Sequence, residues 1–195
     1  MRQIVIIHGG SSFNNHDRYL KNLQNSSIDY ERLLYSQKWR EWIAQEVTDA
    51  DVLLPNFPNA QNASYDEWKI YFEKLLELLG SDVQLVGYSL GAMFLVKYLN
   101  ENILEKSVRK LILVAPCYDD ESNEDLGSFR IKSAAGLERS AEEIHLFHSQ
   151  DDPVVPFAEL DKFKKDIPSA IVHTFDDRNH FFQPTFPELR DLLQK

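Results

Sequence analysis

Six short runs rich in Val, Ile and Leu punctuate the chain: Gln3–Ile7, Asp51–Leu54, Val83–Val86, Leu111–Val114, Ile144–Phe147 and Ala170–Phe175. None alternates cleanly between apolar and polar residues, so each reads as a strand covered on both faces, as in a parallel sheet. Helical patterns lie between them. After Ser64, residues Trp68, Tyr71, Phe72, Leu75, Leu76 and Leu79 recur at helical spacing. Ser64 with Glu67 predicts a capping box there, and Gly80 predicts the stop. Leu90–Asn100 and Phe157–Lys165 read as further helices. Another is expected around Trp39, Trp42 and Ile43. A last one is expected from Thr185, with Pro187 in its first turn and Glu188 completing a second capping box. Strand and helix in alternation predict an α/β fold. The expected form is a three-layer α/β/α sandwich over a mostly parallel sheet of about six strands, built as one domain spanning residues 1–195.

In such sheets, chemistry belongs just after the carboxyl ends of strands. The third run leads directly into Gly87-Tyr88-Ser89-Leu90-Gly91, a G-x-S-x-G nucleophile elbow. A serine nucleophile on so sharp a strand-to-helix turn needs small neighbours, because the backbone there approaches other segments closely. The helix that starts at Leu90 points its partly positive N-terminus at the same place. Read blandly, the two glycines only permit a tightly packed turn.

A serine hydroxyl is a weak nucleophile without a base. In this arrangement the partners follow in the order Ser, Asp or Glu, His. Of the downstream histidines, His145 and His173 fall inside strand runs and read as core residues, and His148 ends a strand. His180 lies in a loop after the last run, where a base belongs. The acid is expected after the fifth run, where Asp151 and Asp152 compete. Its role is to accept the imidazole Nδ1–H and hold the tautomer. One oxyanion donor is expected from the Leu90 amide, and a second from the loop His8-Gly9-Gly10-Ser11. That loop is not a phosphate cradle, since neither G-x-G-x-x-G nor a Walker pattern follows.

Ser89, Asp152 and His180, in this order on this element pattern, resemble the catalytic triad of the α/β-hydrolase superfamily. The resemblance follows the element order through nearly the whole chain and is specific at His8–Gly10, Gly87–Gly91, Asp151–Pro156 and Asn179–Phe181. It is similar in particular to small serine hydrolases of the retinoblastoma-binding-protein-9 type. The superfamily's acid often opens an Asp-x-x-Val-Pro run, which puts Asp152 in register and Asp151 one residue out. The residue after His-Gly supplies the second oxyanion donor, which implies the Gly10 amide. Asn179 stands where relatives often carry glycine, a change that Asn tolerates in left-handed backbone. The resemblance implies a serine esterase working through an acyl-enzyme, with no cofactor and no metal. Acyl transfer, amide cleavage and a non-catalytic binding module are the other readings of the same fold.

Composition limits the partners. The formal charge of −10 disfavours nucleic acid and anionic membrane surfaces. Cys117 is the only cysteine, and the run at Ile4–Ile7 is too short for a signal-peptide core, so a cytoplasmic protein is expected. Residues Ala115–Glu143 are too few for a separate cap domain, which predicts an open site for a small acyl substrate. Ser11, Phe13, Tyr88, Tyr118 and Phe181 fall near strand ends and are candidates for its pocket, with Cys117 as a bland neighbour. The acidic stretch Asp119, Asp120, Glu121, Glu124 and Asp125 would disfavour anionic substrates if it bordered the mouth.

Overall fold

The computed structural model of the chain describes residues 2–106, 108–119 and 125–195. Its elements run β1 (Gln3–Ile7), α1 (His16–Asn25), α2 (Tyr30–Leu33), α3 (Trp39–Glu46), β2 (Asp51–Leu53), α4 (Tyr65–Leu78), β3 (Val83–Tyr88) and α5 (Leu90–Glu101). They continue as β4 (Val108–Val114), β5 (Glu143–Ser149), α6 (Glu159–Asp166), β6 (Ile171–Phe175) and α7 (Pro187–Leu193), with two 3-10 turns at Gly127–Phe129 and Ala135–Arg139. The six strands form one sheet in the order β2-β1-β3-β4-β5-β6, every pair parallel. Strand order reverses at β1, whose neighbours are β2 and β3. A crevice forms at such a reversal because the connections leave in opposite directions. The ends of β1 and β3 deliver His8 and Ser89 to that point.

Both faces of the sheet are covered, which is why the strands do not alternate. Along β1, Val5 and Ile7 enter one core while Ile4 and Ile6 enter the other; Leu111 and Leu113 oppose Ile112 and Val114 in the same way along β4. The larger core is aromatic. Phe94 of α5 lies within ring-contact range of Phe57, Tyr65, Trp68, Phe72 and Tyr98. The other face is closed by α3 and α7 through Trp39, Ile43, Phe186, Leu189 and Leu193.

Local signals misplace several boundaries, each for a tertiary reason. β3 runs two residues beyond the apolar run, because Gly87 stays in the ladder opposite Ile7 and Leu113. β4 begins before Leu111, since buried Lys110 reaches the Leu192 carbonyl near the end of α7 at 2.9 Å. β5 is longer than its run at both ends, β2 ends at Leu53, β6 starts at Ile171 and α6 starts at Glu159. Neither capping box forms. Ser64 makes no side-chain cap bond, the Tyr65 amide donates to Ser128 Oγ, and Glu67 accepts from Asn59 Nδ2. Glu188 accepts from Arg178 while α7 starts without a side-chain cap. Gly80 is not a left-handed stop; α4 ends on extended Leu79. α1 and α2 had no counterpart in the apolar pattern, because α1 buries no residue and Leu33 and Tyr30 of α2 are exposed.

His145, His148 and His173 sit in strands, and burial holds the pKa of each below the ordinary imidazole range. His145 contacts Glu143 and His173, and His148 Nδ1 lies 3.2 Å from the Ser149 carbonyl. Below about pH 6.5 the unfolded chain binds protons that the folded chain refuses, so stability falls as pH drops. The expected result is a Tm that declines from pH 7 to pH 5. His148→Gln should flatten the decline; a Tm independent of pH across that range contradicts the assignment.

Candidate active site

Ser89 occupies the turn between β3 and α5 with φ 53° and ψ −120°, a region that costs a non-glycine residue strain. The turn is held by the Ser89 amide on the Val114 carbonyl (2.9 Å) and by the Ser89 carbonyl on the amides of Ala92 and Met93. The flanking glycines are required by contact. A Cβ on Gly87 would lie 2.6 Å from Ala92 Cα, and one on Gly91 2.5 Å from the His8 carbonyl. Both distances are below any real Cβ contact, so an alanine at either place would push β3, α5 or β1 apart.

His180 lies in the loop between β6 and α7. Its Nε2 is 2.9 Å from Ser89 Oγ, and its Nδ1 is 2.8 Å from Asp152 Oδ2. The Asp152 carboxylate is fully buried, and its other oxygen accepts the amides of Val154 (2.8 Å) and Val155 (2.9 Å). Asp151 faces away. Its carboxylate accepts from the Ser149 hydroxyl and the Asn179 amide, and the Ser149 bond above all holds its pKa below the usual carboxylate range. The two aspartates thus divide the work: one meets the ring, the other anchors the loop that carries it. Asn179 and Phe181 both take left-handed backbone, φ 49° and 55°. A bulky residue there is unusual. The Phe181 ring is buried against Phe175 and Phe186, which holds that backbone in place.

Tyr88 donates its hydroxyl to the His180 carbonyl at 2.6 Å, and burial raises its pKa well above the ordinary phenol range. It is a positioning residue for the loop. Losing one buried hydrogen bond of this kind costs about 1 kcal/mol. Tyr88→Phe should therefore lower kcat about five- to tenfold with KM nearly constant. A fall in KM affinity with kcat intact would contradict this placement.

The loop after β1 is tied down on its far side. His8 Nε2 accepts the Phe57 amide (2.9 Å), which leaves the proton on Nδ1, 2.6 Å from the Gly9 carbonyl. Burial lowers the His8 pKa, in keeping with a neutral ring. The Ser11 amide is committed to the Ala60 carbonyl at 2.8 Å, so the Gly10 amide is the better-placed donor of the two. A Cβ at Gly10 would sit 2.5 Å from that same carbonyl.

Ser89 and His180 open into a cleft of about 520 Å³. Ser11, Tyr88 and Phe181 line it, as their positions predict. Phe13 does not; it lines a separate groove with His16, Tyr19 and Asn59–Ser64. Tyr118 is also displaced, because its hydroxyl donates to Asp166 (2.5 Å) and its ring packs on Phe163. Cys117 is buried beside a small depression shared with Ser89, Leu90 and Met93. Lys38, Arg40, Gln61, Val154, Phe182 and Gln183 also line the cleft. Val154 and Phe182 are two residues from Asp152 and His180, a proximity that could have flagged them. Lys38, Arg40 and Gln61 arrive on crossovers either side of β2 and leave no local signal. Of the acidic stretch, 120–124 lie outside the described residues; Asp119 pairs with Lys162, and Asp125 with Arg18. Among the described residues no helix is long and apolar enough to cross a membrane, and no cluster of three or more His, Cys, Asp or Glu could hold a metal.

Comparison with solved structures places the whole chain on a known fold. The ydeN gene product from B. subtilis is similar at 20% identity and TM-score 0.77, with 100% of this chain and 97% of that chain covered. A YdeN-like hydrolase from Pectobacterium atrosepticum matches at 16% identity and TM-score 0.65, covering 98% and 90%. The esterase PE8 matches at 15% identity and TM-score 0.62, covering 99% and 91%. No curated protein sequence matches significantly. The model of the serine hydrolase family matches residues 35–182, well over half of the sequence and spanning β2 to the His180 loop. The chain therefore belongs to the serine hydrolase family and has an α/β-hydrolase fold.

Proposed function

We propose that the chain hydrolyses small carboxylic esters with Ser89 as nucleophile, His180 as general base and acid, and Asp152 as the carboxylate that orients the ring. The observation that carries this reading is the unbroken line from Ser89 Oγ to His180 Nε2 (2.9 Å) and from Nδ1 to Asp152 (2.8 Å). Membership of the serine hydrolase family supports it. As Oγ bonds to the carbonyl carbon, Nε2 takes the hydroxyl proton and the carbonyl electron pair moves to oxygen. That oxyanion is met by the amides of Leu90 and Gly10. Collapse breaks the ester bond, and the imidazolium gives its proton to the departing alcohol. Water then attacks the acyl-enzyme and passes its proton to His180, and the acid leaves as Ser89 regains its hydrogen. These steps use the chain's own groups and water.

The test is labelling by a fluorophosphonate probe, followed by a panel of chromogenic esters graded by acyl length. An activated serine reacts with the probe, and an inert one does not. The expected outcome is a single adduct on Ser89 and highest kcat/KM for short acyl chains. An unlabelled protein would favour a binding module on the same fold. Labelling with turnover confined to amides or to acyl transfer would keep the residues and change the substrate.

A further inference from the structure

The cleft at Ser89 is cationic on a chain whose formal charge is −10. Its charged lining residues are Lys38 and Arg40, and among the described residues no Asp or Glu lines it. Asp152 lies nearby but is covered beneath His180 and spent on the ring and two amides. The two cations flank Trp39, whose buried ring stands edge-on to Tyr88 and Phe186. This anchor fixes Lys38 and Arg40 at the rim. Lys38 is exposed and donates its Nζ to Ser36 Oγ at 2.8 Å.

Arg40 differs from four other arginines of the chain. Arg2, Arg18, Arg178 and Arg190 each meet a carboxylate within 2.8 Å. Arg40 is partly buried, and among the described residues its guanidinium has neither a hydrogen bond nor an ion pair. The charged group that acts on it most is Glu41, whose carboxylate accepts the Lys38 amide at the start of α3. Desolvation is the main influence on its guanidinium and lowers its pKa. A partly desolvated cation without a counter-charge is unfavourable. A planar carboxylate arriving in the cleft would supply two charge-assisted hydrogen bonds to it.

We infer that Arg40, supported at the rim by Lys38, is a specificity-determining residue that selects esters carrying a free carboxylate, such as half-esters of short dicarboxylic acids. This rests on the reading of Ser89 as the nucleophile and narrows its substrate class. Of the acidic stretch, Asp125 lines the smaller depression beside Ser89, where its charge is met by Arg18. The carboxylate can lie on either side of the scissile bond, and the substrates are chosen to tell the two apart.

Three esters of matched size test the inference by pH-stat: ethyl butyrate, monoethyl succinate with its carboxylate on the acyl side, and O-butyrylglycolate with its carboxylate on the alcohol side. Wild type is expected to prefer one of the charged esters to ethyl butyrate by about tenfold or more in kcat/KM. Arg40→Met should lower that preference ratio about tenfold, Arg40→Lys should restore part of it, and 0.5 M added salt should weaken it. A ratio unchanged within about twofold in Arg40→Met, or a wild type that favours ethyl butyrate over both charged esters, overturns the inference. Calorimetric binding of monoethyl succinate to Ser89→Ala, with and without Arg40→Met, separates this from the hydrolase reading. If no ester is turned over but binding depends on Arg40, the anion site stands and the esterase reading falls. If esters are turned over and neither binding nor the ratio responds to Arg40, the esterase reading stands and the anion site falls. Melting temperatures of all variants establish that each is folded.

Discussion

Ser89→Ala is expected to lower kcat on any ester the wild type processes by on the order of a millionfold, while the fold stays intact. The hydroxyl forms the new bond to carbon, and no other oxygen in the cleft shares its contact with His180 Nε2. What survives is the contribution of binding and of the oxyanion donors, roughly 10³–10⁴ over water. Stability gives an independent check. Alanine keeps the strained φ of 53°, so Tm should move little, whereas glycine accepts that backbone freely. Ser89→Gly should therefore be equally inactive and more thermostable. Turnover retained by Ser89→Ala on a substrate of the wild type would sink the proposed mechanism.

Asp152→Asn should cost on the order of 10⁴-fold in kcat, with KM changed far less. An amide can present its NH₂ to the ring, which turns the imidazole to the wrong tautomer and leaves Nε2 protonated where it must accept. The carboxylate is buried, so no water can substitute for it. Asp151→Asn should act differently. That side chain holds the loop through Ser149 and Asn179 and does not touch the ring. Its loss should lower activity by about tenfold or less, in proportion to one or two weakened hydrogen bonds. Steady-state kinetics on the two variants side by side decide the matter. A larger loss in Asp151→Asn would reverse the assignment of the two aspartates.

The unequal legibility of this chain follows from the range of the forces involved. Ladder residues such as Val5, Ile6, Leu111 and Ile112 announce a doubly covered sheet because burial on both faces demands aliphatic side chains in succession. The elbow is equally legible, since the steric limits at Gly87 and Gly91 act within a few residues of Ser89. Capping is not. The Tyr65 amide and Glu67 find partners at Ser128 and Asn59 that the local pattern cannot foresee. Side-chain direction beyond a strand end is equally hidden: Phe13 and Tyr118 are turned toward Tyr19 and Asp166, while Tyr88 lines the cleft.

Order along the chain was enough to name the sheet, the sharp turn at Ser89 and the candidate partners for it, because periodicity and turn sterics are short-range properties. Folding in three dimensions settled which aspartate meets His180, which amide after β1 is free of Ala60, and that Lys38 and Arg40 border the cleft. Those outcomes depend on contacts between segments far apart in sequence, as between Ser89 and His180, 91 residues apart, and no local pattern encodes which distant partner will arrive.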